Sequence, residues 1–177
     1  MSPGTVLVLG GVRAGKSAYA LERAATLGER VAFVATAEPG DPEMAERIAR
    51  HRAARRPDWT TVEAPLDLPG AVAALEGQAD VVLVDCLNLW VANLLGRDPA
   101  LSDERLAAAV VRLTETAGRR AFQLVVVSNE VGWGVHPETA LGRRFRDALG
   151  IVNQLVARAA GEVVLLVAGC PLWLKVP

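Results

Sequence analysis

Eight consecutive residues, Gly10-Gly11-Val12-Arg13-Ala14-Gly15-Lys16-Ser17, carry the clearest chemistry in the chain. They fit the pattern G-x-x-x-x-G-K-[ST] without a mismatch. The glycines let the backbone bend until successive N–H groups point inward around a phosphate. A helix opening on the last residues adds the positive end of its dipole. Lys16 has the reach for terminal phosphates, and the Ser17 hydroxyl is a ligand for magnesium. The bland alternative is an ordinary glycine turn between strand and helix. By chance it would match the whole pattern in roughly one per cent of such chains or fewer. Gly10–Ser17 is therefore read as a nucleotide-binding loop with Lys16 as a catalytic residue.

Asp85 closes the apolar run Val81–Val84. A carboxylate at the end of a buried strand is the Walker-B arrangement, which holds magnesium, usually through water. Capping of a helix that starts near Leu87 is the competing role. Beside a complete phosphate loop, Ser17 and Asp85 are taken as the magnesium ligands. Ser128-Asn129-Glu130 is polar where another apolar run ends. It is either a site segment or a loop start with an Asn turn.

From Arg47 to Arg56 there are five arginines and no acid. Asp41-Pro42-Glu43 reads as a helix start, with an N-cap, a proline in the first turn and an acid near the dipole. Met44 and Ile48 mark its inward face, and Pro57 ends it. Arg47, His51 and Arg55 recur at i, i+4 and i+8 and share a stripe. Such a segment draws in triphosphate or pyrophosphate oxygens, and arginine forks grip them. His51 is the only histidine in that field. The surrounding positive charge disfavours the imidazolium, so the ring is expected to be neutral near pH 7. A neutral imidazole can attack phosphorus and carry a covalent group. On the residues alone, a solvent-facing histidine on a basic helix is the plainer reading. A metal site at His51 is disfavoured, because no cysteine or second histidine is near.

These residues need a scaffold. Val6–Leu9, Val31–Ala35, Val81–Val84, Leu124–Val127 and Val163–Val167 are short, valine-rich runs that alternate with helical segments. That is the pattern of an α/β fold with a mostly parallel sheet buried on both faces. A weaker strand is expected at Trp59–Val62. Ligands of such sheets sit beyond the carboxyl ends of the strands. Ala35-Thr36-Ala37, Asp85-Cys86, Ser128–Gly132 and Ala168-Gly169-Cys170 should therefore gather near the phosphate loop. The 177 residues fit one domain, 1–177. A net charge of −1 gives no bulk argument for nucleic acid or an anionic membrane. No apolar run approaches the roughly 20 residues of a membrane span, and no charged leader is seen. Cys86 and Cys170 each follow an apolar run and are expected to be reduced and buried, in a cytoplasmic protein. Trp90, Trp133 and Trp173 could stack on a large macrocycle, but internal packing is the expected role of each.

Further segments repeat an ordered set. After the phosphate loop come Val34–Ala37, Glu43–Arg52, Trp59–Glu63, Asp85-Cys86-Leu87 and Asn93-Leu94-Leu95. Then follow Ser128–Gly132, Phe145-Arg146-Asp147 and Val152-Asn153-Gln154. From Val6 to Gly169 the chain resembles the bifunctional adenosylcobinamide kinase / adenosylcobinamide-phosphate guanylyltransferase family of cobalamin biosynthesis. The resemblance implies a P-loop NTPase fold with a RecA-like sheet, and a homotrimer. It implies phosphorylation of adenosylcobinamide by ATP or GTP. It also implies transfer of GMP from GTP to adenosylcobinamide phosphate, through a guanylylated histidine at His51. It places nucleotide contacts at Gly10–Ser17, Ala35-Thr36-Ala37, Arg52-Ala53-Ala54-Arg55, Glu63 and Asp85. Glu63 ends the weak strand, and its carboxylate can accept from the N1–H and exocyclic amine of guanine. A surface glutamate before Pro65 is the alternative. Ala14 and Ala37 stand where the family commonly has serine. Trp133 and His136 stand where smaller or aliphatic residues are usual, and no role is carried onto His136. Two rivals share the phosphate loop: a kinase of another small metabolite, and a RecA-like regulator that changes partners with nucleotide state.

Overall fold

The computed structural model describes residues 4–40, 42–53, 55–119 and 122–176, and only the main chain of residues 47, 118 and 119. The strands are β1 (Thr5–Gly10), β2 (Val31–Ala35), β3 (Thr60–Glu63), β4 (Val81–Asp85), β5 (Gln123–Val127), β6 (Glu162–Val167) and β7 (Cys170–Lys175). The helices are α1 (Lys16–Leu27), α2 (Pro42–Ala53), α3 (Leu68–Ala74), α4 (Leu87–Arg97), α5 (Asp103–Arg119) and α6 (Ala140–Ala159). The strands form one seven-stranded sheet in the order β3-β2-β4-β5-β1-β6-β7. Every pairing is parallel except β6 with β7.

Valine-rich strands suit this position because branched side chains pack on a pleated surface, and a parallel sheet buries both faces. Val6, Val8, Val31, Phe33, Val81, Leu83, Val125 and Val127 line one face with Ala20 and Ala24 of α1. The alternate residues, among them Leu7, Val34, Val84, Leu124 and Val126, line the other with α3, α4, α5 and α6. Each fully buried Val or Leu contributes about 1.5–3 kcal/mol relative to exposure. Glu162, buried at the start of β6, takes two hydrogen bonds from Arg23 of α1, at 3.0 and 2.6 Å. That paired charge fixes α1 against the sheet, and with it the loop from which α1 starts.

Several expectations are corrected. β7 has no counterpart among the expected strands. It is exposed along its whole length, begins Cys170-Pro171 and lies at the sheet edge. Proline is tolerated at such an edge, and an exposed strand has no core-facing alternation to read. Cys170 opens this strand and is exposed, whereas Cys86 is buried. Trp133 (76% exposed) and Trp173 (44%) lie outside the core, and only Trp90 (1%) of the three packs within it. Helix α2 stops at Ala53, so Arg55 is not on its stripe. Beyond the helix, Arg55 N–H donates to Arg52 O at 3.2 Å. Asp41, Ala54 and the Arg47 side chain lie outside the described residues. Among the described residues no helix is long and apolar enough to cross a membrane.

Candidate active site

Parallel pairing puts the carboxyl ends of the strands on one edge, and the register aligns them residue by residue. Glu63 pairs with Ala35, Ala35 with Asp85, and Asp85 with Val127. Val127 pairs in turn with Val8, two residues before the phosphate loop. At about 4.8 Å per strand, Glu63 and Asp85 stand roughly 10 Å apart on this row.

The phosphate loop leaves β1 at Gly10 and enters α1 at Lys16. Gly15 sits just before the helix at φ +95°, a conformation that glycine adopts without the Cβ penalty. A Cβ on Gly10 would meet the Leu166 carbonyl at 2.7 Å, so the loop is seated hard against β6. Lys16 is buried, and its ammonium donates to Gly11 O at 2.6 Å, inside the loop it serves. Two neighbours brace the loop from outside. Gly169 N–H, in the β6–β7 turn, donates to Ala14 O at 3.0 Å, and Glu130 N–H donates to Gly10 O at 3.1 Å. Ala168-Gly169 and Glu130 thus meet the loop through the main chain. Ser128 is fully buried and donates to Asn153 Oδ1 at 2.6 Å, while Asn153 Nδ2 donates to Asn129 O at 3.0 Å. The polar stretch after β5 is therefore locked to α6. The sequence marked Asn153 within a motif without saying what it held.

Asp85 is held by its backbone. Thr36 is fully buried, and its hydroxyl donates to Cys86 O at 2.7 Å and accepts from Cys86 N–H at 2.9 Å. Asn93 Nδ2 donates to Thr36 O at 2.8 Å and to Pro65 O at 3.2 Å, which ties the ends of β2 and β3 to α4. Thr36 therefore spends its side chain on Cys86. The sequence marks Asn93 through the family resemblance alone, and the carbonyls it ties are far from it in sequence.

The basic segment folds over this edge. His51 Nδ1 stands 3.8 Å from Asp85 Oδ2, with the His51 side chain 39% exposed and the Asp85 side chain 11%. Arg55 lies over the Phe33 ring, 3.5 Å from its centroid. One of its Nη atoms donates to Thr61 Oγ1 at 3.4 Å. Its Nε is buried and has no hydrogen-bond partner among the described residues. Burial lowers the Arg55 pKa and Arg52 adds to the lowering, while Asp85 and Glu63 oppose it. A half-desolvated cation with an unused donor gains strongly when an anion arrives. Arg52 and Glu63 are exposed, and both act electrostatically on Arg55.

The Ser17 hydroxyl and the Asp85 carboxylate are hard oxygen donors, which suits magnesium. Among the described residues no three His, Cys, Asp or Glu side chains form a cage for a metal. Magnesium fits that donor set, since it keeps several waters and shares phosphate oxygens with its substrate.

The chain is similar to proteins of known family. Residues 6–174 match the family described as cobinamide kinase / cobinamide phosphate guanyltransferase. The bifunctional adenosylcobalamin biosynthesis protein CobP of Pseudomonas aeruginosa is 42% identical over 169 residues, 96% of each chain. The bifunctional adenosylcobalamin biosynthesis protein CobU of Escherichia coli is 38% identical over 182 residues, covering 96% of this chain and 99% of that one. The protein of the same name from Salmonella typhimurium is 37% identical with the same coverage. Among solved structures, the RadB recombinase superposes with a TM-score of 0.53 at 16% identity, over 93% of this chain and 74% of its own. That likeness shows that the two chains share a fold.

Proposed function

The chain belongs to the cobinamide kinase / cobinamide phosphate guanyltransferase family, and from that premise we propose how its residues divide the work. Membership makes it a transferase of cobalamin biosynthesis with both activities. In the first, the γ-phosphate of ATP or GTP passes to the hydroxyl of adenosylcobinamide. In the second, GMP passes from GTP to adenosylcobinamide phosphate, giving adenosylcobinamide-GDP and pyrophosphate.

One observation carries the second half: His51 reaches the strand edge at Asp85, 3.8 Å away, on the row that leads to the phosphate loop. A neutral ring nitrogen of His51 attacks the α-phosphorus of GTP. The bond from that phosphorus to the bridging oxygen breaks, and pyrophosphate leaves with the electron pair. Arg52 and Arg55 receive it. The buried, unused Nε of Arg55 supports that role. A phosphate oxygen of adenosylcobinamide phosphate then attacks the phosphorus, and the P–N bond breaks. Glu63 distinguishes guanine by accepting from N1–H and the exocyclic amine. Gly10–Ser17 cradle the phosphates, Lys16 meets the transferred charge, and backbone groups of Ala35, Thr36 and Ala37 border the nucleotide. Ser17 and Asp85 would hold magnesium, which supplies neutralisation of phosphate charge when bound.

The reading includes a homotrimer and a cytoplasmic location. Leu172, Trp173 and Leu174 of β7, with Val176 just beyond it, make an exposed apolar edge, a surface that supports assembly with further copies.

The test is incubation with α-labelled GTP, then a chase with adenosylcobinamide phosphate. Wild type takes up label that survives alkali and is lost in acid, and the chase releases it. His51→Ala takes up none. A wild type without label overturns the covalent route.

A further inference from the structure

We propose that Asp85 is the positioning residue for His51: it accepts the Nδ1–H of the ring and so reserves Nε2 as the nucleophile. The inference rests on the reading of His51 as the GMP carrier.

The geometry has three parts. First, the nitrogen that faces Asp85 is Nδ1, at 3.8 Å from Oδ2. A neutral imidazole has one N–H and one lone pair, and the partner of one nitrogen decides which atom carries the proton. A carboxylate facing Nδ1 selects the Nδ1–H form and leaves the lone pair on Nε2, at the far end of the ring. Second, the carboxylate is fixed. Asp85 ends β4 in register with Ala35, Thr36 N–H donates to Asp85 O at 3.4 Å, and the next residue is gripped on both sides by the Thr36 hydroxyl. Third, it is shielded, with 11% of its side chain exposed against 39% for the ring, so the carboxylate is the desolvated partner of the pair. A separation of 3.8 Å exceeds a hydrogen bond by about 1 Å. Contacts of this kind are often long before substrate binds and tighten in the complex.

The step balances without a proton leaving the ring. The Nε2 lone pair forms the bond to the α-phosphorus, and the bond to the bridging oxygen breaks toward pyrophosphate. The ring becomes cationic while Nδ1 keeps its hydrogen, and the Asp85 carboxylate offsets the new charge. When the substrate phosphate attacks, the P–N electron pair returns to Nε2 and the ring is neutral again. Asp85 serves both half-reactions through Oδ2, the oxygen that faces the ring, which leaves Oδ1 for the magnesium role.

The chain has two histidines, His51 and His136, so the tautomer can be read directly. The full chain is labelled with 15N-histidine and examined at alkaline pH, without nucleotide or metal. Long-range 1H–15N correlations report which nitrogen is protonated, and His136→Gln assigns the two rings. The expected result is Nδ1–H at His51 in wild type and in Asp85→Asn, whose amide oxygen still accepts. Asp85→Ala should lose that preference. An Nε2–H ring in wild type, or an Asp85→Ala spectrum identical to wild type, overturns the proposal. In the guanylylated protein, 15N–31P coupling should fall on Nε2, and coupling on Nδ1 overturns it equally. Absence of any adduct at His51 sinks the carrier reading instead, a result distinct from a wrong tautomer.

Discussion

Replacing Thr36 by valine tests how the fold delivers Asp85 to the site. The side chain is fully buried, and its hydroxyl makes hydrogen bonds of 2.7 and 2.9 Å with the two main-chain groups of Cys86. Valine keeps the shape and removes both. Each such bond contributes net about 0.5–1.5 kcal/mol, so the loss is about 2 kcal/mol. For a chain of this size, 1 kcal/mol shifts Tm by about 2–4 °C, which gives a fall of roughly 4–8 °C. Thr36→Ser keeps the hydroxyl and loses one methyl, a cost of about 1 kcal/mol. The assay is thermal unfolding of all three proteins, with the initial rate of guanylylation measured well below Tm. The expected order in both is wild type, then serine, then valine. Because the hydroxyl holds the residue after Asp85, the valine variant should lose more rate than its stability explains. A valine variant as stable and as fast as wild type would refute the claim that this hydroxyl sets the strand edge.

Three further outcomes follow from single side chains. Gly15→Ala forces a Cβ onto a residue at φ +95°; a cost of about 1–2 kcal/mol is expected in urea unfolding, with weaker GTP binding. Arg55→Lys keeps the charge but loses the planar stack on Phe33 and the fork. At about 1.5–3 kcal/mol for a charge-assisted bond, GTP affinity by titration calorimetry should fall on the order of tenfold or more. Asp80 has its pKa lowered by hydrogen bonds from Arg30. A depressed folded-state value stabilises above the unfolded value and is lost as pH falls through the folded one. Asp80→Asn should therefore trail wild type in stability at neutral pH, with the gap closing below about pH 4.

What could be read from the chain was local. The phosphate loop declares itself in eight contiguous residues, and the parallel strands in valine-rich apolar runs. The ligand rule for such sheets brings Ala35, Asp85 and Ser128 to one edge, where the register places Ala35 and Asp85 and Ser128 N–H donates to Val8 O at 2.9 Å. The misses are all matters of tertiary context. β7 is an exposed edge strand that begins next to a proline, so neither burial nor alternation announces it. Helical spacing carried the stripe through Arg55, but α2 ends first and the guanidinium turns down onto Phe33. His51 and Asp85 belong to different elements, and only the return of α2 across the strand ends brings them within 3.8 Å. The pairing of Ser128 with Asn153, and of Asn93 with the Thr36 and Pro65 carbonyls, also joins residues far apart in sequence.

The central claim is that GMP is held on residue 51 between the two halves of the transfer. Mass spectrometry of the protein mixed with GTP and quenched in alkali tests it most directly. One guanylyl group per chain, mapped to the peptide bearing His51 and absent after addition of adenosylcobinamide phosphate, is the predicted result. An unmodified chain that still forms adenosylcobinamide-GDP, or a guanylyl group on any other residue, would contradict it.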